Sequence, residues 1–474
     1  MRLSHAAMYA RLLESDASCN GRFFTGVLTT GIYCLPGCRA RKPKAENVRF
    51  FPSCEAARAA GLRPCRKCHP DDFARGADPV LADIETLVDA VRAAPQHFAD
   101  TSAIVRRSGF GTTRLFELFR QHYQATPAEV LQRARLAQAQ DRLLAGDDGL
   151  TAVAADCGFE SQSVFHDHFR RWTGLTPAQY RALRTARRFT LQLPDGYPAG
   201  YLRRALTRDT RSLTERRDGD TFTLAWRLGS EPAVVVLRLA GPELDVEVTG
   251  AAAPAVHRRV ATLLGLGQDA PAFARLARKL GVGRLVAQRE GLRLVQTPSV
   301  FDGLLWSIIG QQINFAFACV LRRRLVELAG TPVADGLYAP PTPAAVAALT
   351  PAALAPLQFS RAKAQYLIEV SRRVADGVLD LAALEGQSAT RVERTLLEQR
   401  GLGPWSVNYL MLRALGFPDC VPWGDTGVTS GLQALFQLEE RPDVAATRRL
   451  MGMFAPYRSL ATAHLWQYLQ PMPI

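Results

Sequence analysis

Between residues 80 and 185 apolar positions recur three and four apart, the period of half-buried helices. Between 189 and 250 the period changes to two. The runs FTLQL, FTLAWRL, AVVVLRL and LDVEVTG alternate or are β-branched, with turn residues between them. That pattern predicts an antiparallel sheet with one wet face. Residues 254–474 return to helical periodicity, broken at Pro and Gly and by the proline-laden linker YAPPTPAAVAALTPAALAP. Residues 1–76 follow neither rhythm and are rich in Gly, Pro and Cys. One run, GLLWSIIGQQINFAFACVL at 303–321, is long and uncharged enough to suggest a membrane span. Its centre holds Gln311, Gln312 and Asn314, which a bilayer penalises, so a buried helix is expected instead.

The helical segment repeats itself. LFELFRQHYQATPAEV at 115–130 aligns with FHDHFRRWTGLTPAQY at 165–180, pairing Leu115 with Phe165, Phe119 with Phe169 and Thr126-Pro127 with Thr176-Pro177. Each copy follows a Gly-Phe turn, Gly109-Phe110 or Gly158-Phe159, and a short apolar helix. Helix, tight glycine turn and second helix make the helix-turn-helix pattern. Two such units resemble the AraC/XylS DNA-binding domains. The resemblance implies that Thr112, Thr113 and Arg114, and Ser161, Gln162 and Ser163, face a DNA groove.

Charge sharpens the picture. The net charge is +14, and half of that surplus falls on residues 1–75. A polyanionic partner follows, with nucleic acid first. The opening residues, MRLSHAAMYARLLESDAS, lack the apolar core of a secretory signal. Nine cysteines, an odd number, indicate a reducing compartment. Four of them, Cys34, Cys38, Cys65 and Cys68, form C-x3-C and C-x2-C pairs, the spacing of a four-thiolate zinc site. Cys19, Cys54, Cys157, Cys319 and Cys420 sit at no ligand spacing and read as buried or incidental.

Basic residues crowd these cysteines: Arg39, Arg41 and Lys42 beside one pair, Arg63, Arg66 and Lys67 around the other. FFTGVLTTGIYCLPGCRARKPKAENVRFF and AGLRPCRKCHP closely resemble the N-terminal domain of the Ada methyltransferases over nearly all of residues 1–76. The resemblance implies that Cys34 takes a methyl group from a methylated DNA phosphate, with Cys38, Cys65 and Cys68 as the other zinc ligands. A Zn²⁺ with four thiolates carries a formal charge of −2 and keeps its sulfurs deprotonated and electron-rich. Methylation removes one negative charge from the cluster, so the surrounding cations should then hold phosphates more tightly.

The last third carries a second chemistry. LLEQRGLGPWSVNYLMLRALGFPDCVPWGDTGV at 396–428 reads as helix, hairpin, helix and a loop with Asp425. The turn Gly401–Gly403 opens a helix whose free N–H groups can hold a DNA phosphate. Carbonyls near Leu397, Gln399 and Leu402 can hold a monovalent cation. Together with GLLWSIIGQQI and ATAHLWQYL, this resembles the helix-hairpin-helix glycosylases of AlkA type from about residue 189 onward. The resemblance implies that Asp425 is the catalytic carboxylate. It also places Gln311 and Gln312 near the gap left by a flipped nucleotide. Trp405, Tyr409 and Trp466 are expected to line the base pocket, where electron-rich rings favour a cationic base. Members that cleave the strand carry a Schiff-base Lys where this chain has Trp405, so hydrolysis alone is expected.

The expected fold is therefore multidomain and mainly α: a zinc α+β module (1–76), an all-α double helix-turn-helix (80–185), an α+β antiparallel-sheet domain (187–296) and an all-α glycosylase domain (297–474). The expected function is repair of alkylated double-stranded DNA, by release of bases such as 3-methyladenine and by methyl transfer to Cys34. The alternative is a methylation-activated transcription regulator with a secondary or inactive glycosylase half. A bacterial cytoplasmic, nucleoid-associated monomer with no membrane contact is expected, with RNA polymerase as a further partner when it regulates.

Overall fold

The computed structural model describes residues 3–16, 19–38, 40–74 and 78–470. The chain forms two compact units, residues 1–89 and 90–474.

The first unit is built on a four-stranded sheet: β1 (Phe24–Val27), β2 (Ile32–Cys34), β3 (Val48–Phe51) and β4 (Arg63–Pro64), in the order β3-β1-β2-β4. β2 and β4 run parallel, with Ile32 opposite Arg63 and Tyr33 opposite Pro64. This register places the ends of the two strands, and the cysteines there, side by side. Phe24, Tyr33, Leu35, Phe51 and Leu62 form a small core beneath. Gly26 is required by packing: a Cβ there would lie 2.5 Å from both Leu62 and Phe51 side chains.

The second unit opens with the repeat. Helices Thr101–Ser108 and Leu150–Asp156 precede the turns, and Thr112–Tyr123 and Gln162–Thr173 follow them. Gly109 and Gly158 adopt left-handed backbone, φ +69° and +82°, which glycine tolerates without steric cost. Thr126 and Thr176 close matching capping boxes with Glu129 and Gln179, starting the next helix at Pro127 and Pro177.

The alternating runs form a five-stranded antiparallel sheet: β5 (Arg188–Gln192), β6 (Glu215–Asp218), β7 (Thr221–Leu228), β8 (Glu231–Ala240) and β9 (Glu243–Thr249), in the order β5-β9-β8-β7-β6. In β8 buried and open positions alternate as the sequence pattern requires. One continuous core runs from Leu136 and Phe165 of the repeat through this sheet to Ala463.

The uncharged run 303–321 is not one helix. It divides into Val300–Ile309 and Phe315–Ala329, and Asn314 caps the second by accepting from Phe317 N–H at 2.9 Å. Between them Gln312 takes φ +56°. Among the described residues no helix is long and apolar enough to cross a membrane.

Candidate functional sites

The first site is a cage of sulfur. Cys34 ends β2, Cys65 follows β4, and tight turns bring Cys38 and Cys68 back over them: Cys38 N–H donates to Leu35 O at 3.0 Å, and His69 N–H to Cys65 O at 3.0 Å. The four Sγ atoms lie within 4.8 Å of one another. A tetrahedral ion with sulfur bonds near 2.3 Å fits such a set. Cys34, Cys38 and Cys65 are buried, while Cys68 is partly open. Backbone N–H groups already point at the cluster: Leu35 N–H donates to Cys68 Sγ and Lys67 N–H to Cys65 Sγ, each at 3.4 Å.

The surrounding basic side chains divide. Lys42 is turned to the backbone, donating to Cys38 O at 2.7 Å, and burial lowers its pKa. Arg41, Arg63, Arg66 and Lys67 are exposed. Arg39 lies outside the described residues.

The second site is a cleft of about 1360 Å³ in the other unit. At its edge is the hairpin between helices Ala389–Leu397 and Pro404–Arg413. Gly401 has φ +87°, and a Cβ there would lie 2.4 Å from the Tyr366 ring, so both backbone and space require glycine. Gly403 is the N-cap of the second helix, with Pro404 at its first position. Gln311 braces this turn: its amide donates to Gly401 O at 2.8 Å and to Ser406 Oγ at 2.9 Å. Gln312, next to it, is exposed on the cleft wall. Of the expected cation-binding carbonyls, that of Gln399 accepts from Leu402 N–H at 3.1 Å. The Gln399 side chain is buried, and its Oε1 has no hydrogen-bond partner among the described residues.

Asp425 is the N-cap of helix Thr426–Phe436 and faces the cleft. Three N–H groups converge on its carboxylate. Val428 N–H donates to Oδ1 at 3.0 Å, Trp466 Nε1 to Oδ1 at 2.8 Å and Trp405 Nε1 to Oδ2 at 3.2 Å. Tyr409 stacks on Trp405 at 5.2 Å and leans on Trp466 at 6.3 Å. The expected pocket residues are thus together, and the two tryptophans also hold the carboxylate.

The cleft is also lined by residues that sequence reasoning passed over. Trp306 and Phe315 stack at 5.9 Å, and Tyr201, Arg208, Trp423 and Arg448 also line the cleft. Trp306 and Phe315 lie in the uncharged run, where large apolar residues read as core. In the helix-turn-helix region Thr112, Thr113, Ser161, Gln162 and Ser163 are exposed at the starts of the second helices, and Arg114 is half-buried.

Comparison with known families follows the same division. The metal binding domain of Ada matches residues 7–71, a helix-turn-helix domain matches 104–183, and the HhH-GPD superfamily of base excision DNA repair proteins matches 305–456. A DNA-3-methyladenine glycosylase of Bacillus subtilis is 30% identical over 43% of this chain and 69% of its own. This chain belongs to the Ada–AlkA family. A relative in Mycobacterium tuberculosis, a probable bifunctional transcriptional activator/DNA repair enzyme AlkA, is 29% identical over 98% of this chain and 96% of its own. The fold of the Ada–AlkA glycosylase half is that of a 3-methyladenine DNA-glycosylase from Archaeoglobus fulgidus, which covers 59% of this chain and 97% of its own at TM-score 0.53 and 22% identity. As an Ada-type metal-binding domain with four converging cysteines, the first unit holds one zinc.

Proposed function

We propose that this protein repairs alkylated DNA by two separate chemistries. In the cleft it hydrolyses the N-glycosidic bond of N-alkylated bases such as 3-methyladenine. The observation that carries this reading is a carboxylate fixed by three N–H donors beside stacked aromatic rings. The damaged nucleotide leaves the base stack and enters the cleft. An N-alkylated purine is cationic, and the electron pair of the breaking bond neutralises it, so no general acid is needed. Asp425 stabilises the positive charge that develops on the sugar and orients the attacking water. Trp405, Tyr409 and Trp466 face the base, where their rings favour a cation. The hairpin N–H groups at Gly401–Gly403 hold a backbone phosphate, with Gln312 at the vacated stack. A monovalent cation on the carbonyls of Leu397, Gln399 and Leu402 belongs to this reading, and the unpartnered Gln399 Oε1 supports it. Position 405 offers no amine, so the abasic strand stays intact.

In the first unit Cys34 accepts a methyl group from a DNA methylphosphotriester. A new S–C bond forms as the methyl C–O bond breaks, and the phosphate regains its negative charge. Bound zinc keeps the sulfurs deprotonated at neutral pH. Among the described residues no backbone N–H donates to the Cys34 sulfur, whereas Cys65 and Cys68 each accept one. A thiolate free of such donors keeps its lone pairs for attack, which supports Cys34 as the nucleophile. Arg39 and Arg41 lie beside it in sequence and supply phosphate contacts, while Lys42 is held on Cys38 O.

Regulation is the second reading, favoured by the exposed polar residues at the starts of both second helices. In that role the protein binds an operator and meets RNA polymerase, as a monomer on the bacterial nucleoid.

The test is base release from methylated duplex DNA. Asp425→Asn keeps the helix cap, because asparagine also caps. It should still bind DNA but lose release by two or more orders of magnitude. Release of 3-methyladenine at the wild-type rate would show the assignment to be wrong. Nicking of the abasic product by the wild type would refute hydrolysis alone.

A further inference from the structure

A groove of about 380 Å³ lies outside the cleft, between helix Ala270–Lys279 and the turns at 195–198 and 288–291. The two turns are pressed together: a Cβ on Gly291 would run into the carbonyl of Gly196. Glycine is required there, so the groove is a built feature and not a gap between loops. Its charged lining is Asp195, Arg275, Arg278, Arg289, Glu290 and Arg293, four guanidinium groups against two carboxylates.

Arg293 stands apart from the others. It is only 6% exposed, yet it makes no ion pair among the described residues. One of its terminal nitrogens donates to Gly291 O at 3.0 Å, and its Nε has no partner. Burial lowers its pKa. Asp269, whose charge opposes that shift, is already engaged with Arg171 at 3.0 Å and with Ala272 N–H at 3.0 Å. The carboxylates of the groove do not supply the missing charge either. Glu290 is held by Arg278 at 3.0 Å, and Asp195 is exposed and makes no ion pair among the described residues. A buried cation without a counter-charge is costly, and an anion entering the groove removes that cost. Arg275, exposed at the mouth, also makes no hydrogen bond or ion pair among the described residues. Arg289 joins the groove to the cleft, since it donates to Gln470 O at 3.1 Å and Gln470 lines the cleft.

We propose that this groove is a second anchor for the DNA backbone, in which Arg293, with Arg275 and Arg289 at the mouth, holds a phosphate of the strand passing the Gln470 edge of the cleft. A phosphate offers oxygens in several directions and matches the planar donor fork of arginine. The inference rests on reading the cleft as the place where damaged DNA binds.

Single-turnover release of 3-methyladenine by the full-length protein, measured over a range of duplex concentrations, gives the half-saturating concentration for the cleft. In Arg293→Gln this should rise about tenfold, as for loss of a hydrogen bond to a charged group. Its logarithmic dependence on salt should lose about one unit of slope, the share of one phosphate. Arg293 is buried, so Arg275→Ala, at an exposed and unpartnered position, guards against a folding defect; it should raise the half-saturating concentration about threefold. Adding Arg275→Ala to Arg293→Gln should cost no further slope, because both side chains hold the same phosphate. Wild-type half-saturation and slope in both single variants overturn the proposal. So does a double variant that loses about two units of slope, the mark of two separate surface charges. Inorganic phosphate tests the other source of the same chemistry. If it raises the Tm of wild type but not of Arg293→Gln, while the DNA parameters of the variants stay unchanged, the groove takes free phosphate and the DNA assignment is overturned. A wild type that releases no base overturns the glycosylase reading alone, and the groove is then judged by the same slope in direct duplex affinity.

Discussion

Asp425 caps a helix through Oδ1, and the same oxygen accepts from Trp466. A capping carboxylate is ordinarily turned to its own helix; here two indoles on distant segments fix its plane towards the cleft. A hydrogen bond to a charged group contributes about 1.5–3 kcal/mol. Trp466→Phe keeps the ring and removes the 2.8 Å donor, so the base-release rate should fall about ten- to a hundredfold with little change in KM. Trp405→Phe, which loses a 3.2 Å donor, should cost less. Single-turnover rates on 3-methyladenine DNA measure both. A fall in affinity with an unchanged rate would assign the tryptophans to base binding alone. The sequence marks these residues as aromatic neighbours of an aspartate, but not the direction of an indole N–H, which depends on rotamers fixed by tertiary packing. Arg293 was beyond sequence reasoning for a related reason. It follows a stretch crowded with arginines, Arg275, Arg278 and Arg289, and only its burial in the fold singles it out.

At the scale of elements, strong periodicity was legible and weak periodicity was not. The four alternating runs are strands β5, β7, β8 and β9. β6, with the sequence ERRD, was missed because an edge strand with mostly exposed polar residues leaves no apolar alternation to read. The repeat was legible because its two Thr-Pro starts carry their own capping boxes. The contact between the repeat and the sheet was not, since it runs through a shared apolar core and a buried imidazole whose partner is distant in sequence. His257, on helix Ala253–Leu263, bonds Thr173 O through Nε2 at 2.8 Å and packs against Tyr180 and Phe189. Burial pushes its pKa down to about 4, outweighing the Thr173 carbonyl, which favours the charged form. An unfolded histidine titrates near 6.5, so between pH 6.5 and 4 the unfolded chain binds more protons than the folded one. Stability should therefore be whole above pH 6.5 and decline by about 3 kcal/mol as the pH falls to 4. His464, pushed down to about 3 by burial, acts in the same direction. Urea unfolding of wild type and His257→Asn at a series of pH values isolates the His257 share. Parallel pH dependences for the two proteins would assign the acid sensitivity to other groups.

At the scale of the whole molecule, charge is placed where it can be switched. Half of the +14 surplus lies on the first 75 residues, around a cluster whose four thiolates and one Zn²⁺ have a formal charge of −2. At a phosphate backbone the cluster and the cations should oppose each other, so the module is expected to bind DNA less tightly than its surplus alone would give. Methylation of Cys34 converts a thiolate ligand to a neutral thioether and removes one negative charge. For a close charge near a protein surface this is on the order of 1–3 kcal/mol, or roughly five- to a hundredfold in affinity. Because the gain is electrostatic, it should shrink as salt is added. DNA affinity measured before and after exposure to methylphosphotriester DNA, at two salt concentrations, gives both quantities, and mass spectrometry locates the methyl group. A methyl group on Cys38, Cys65 or Cys68 would refute the choice of nucleophile. A methyl group on Cys34 with unchanged affinity would leave the zinc module a repair acceptor without a switch. A gain that persists at high salt would trace the effect to a change in shape rather than to the lost charge.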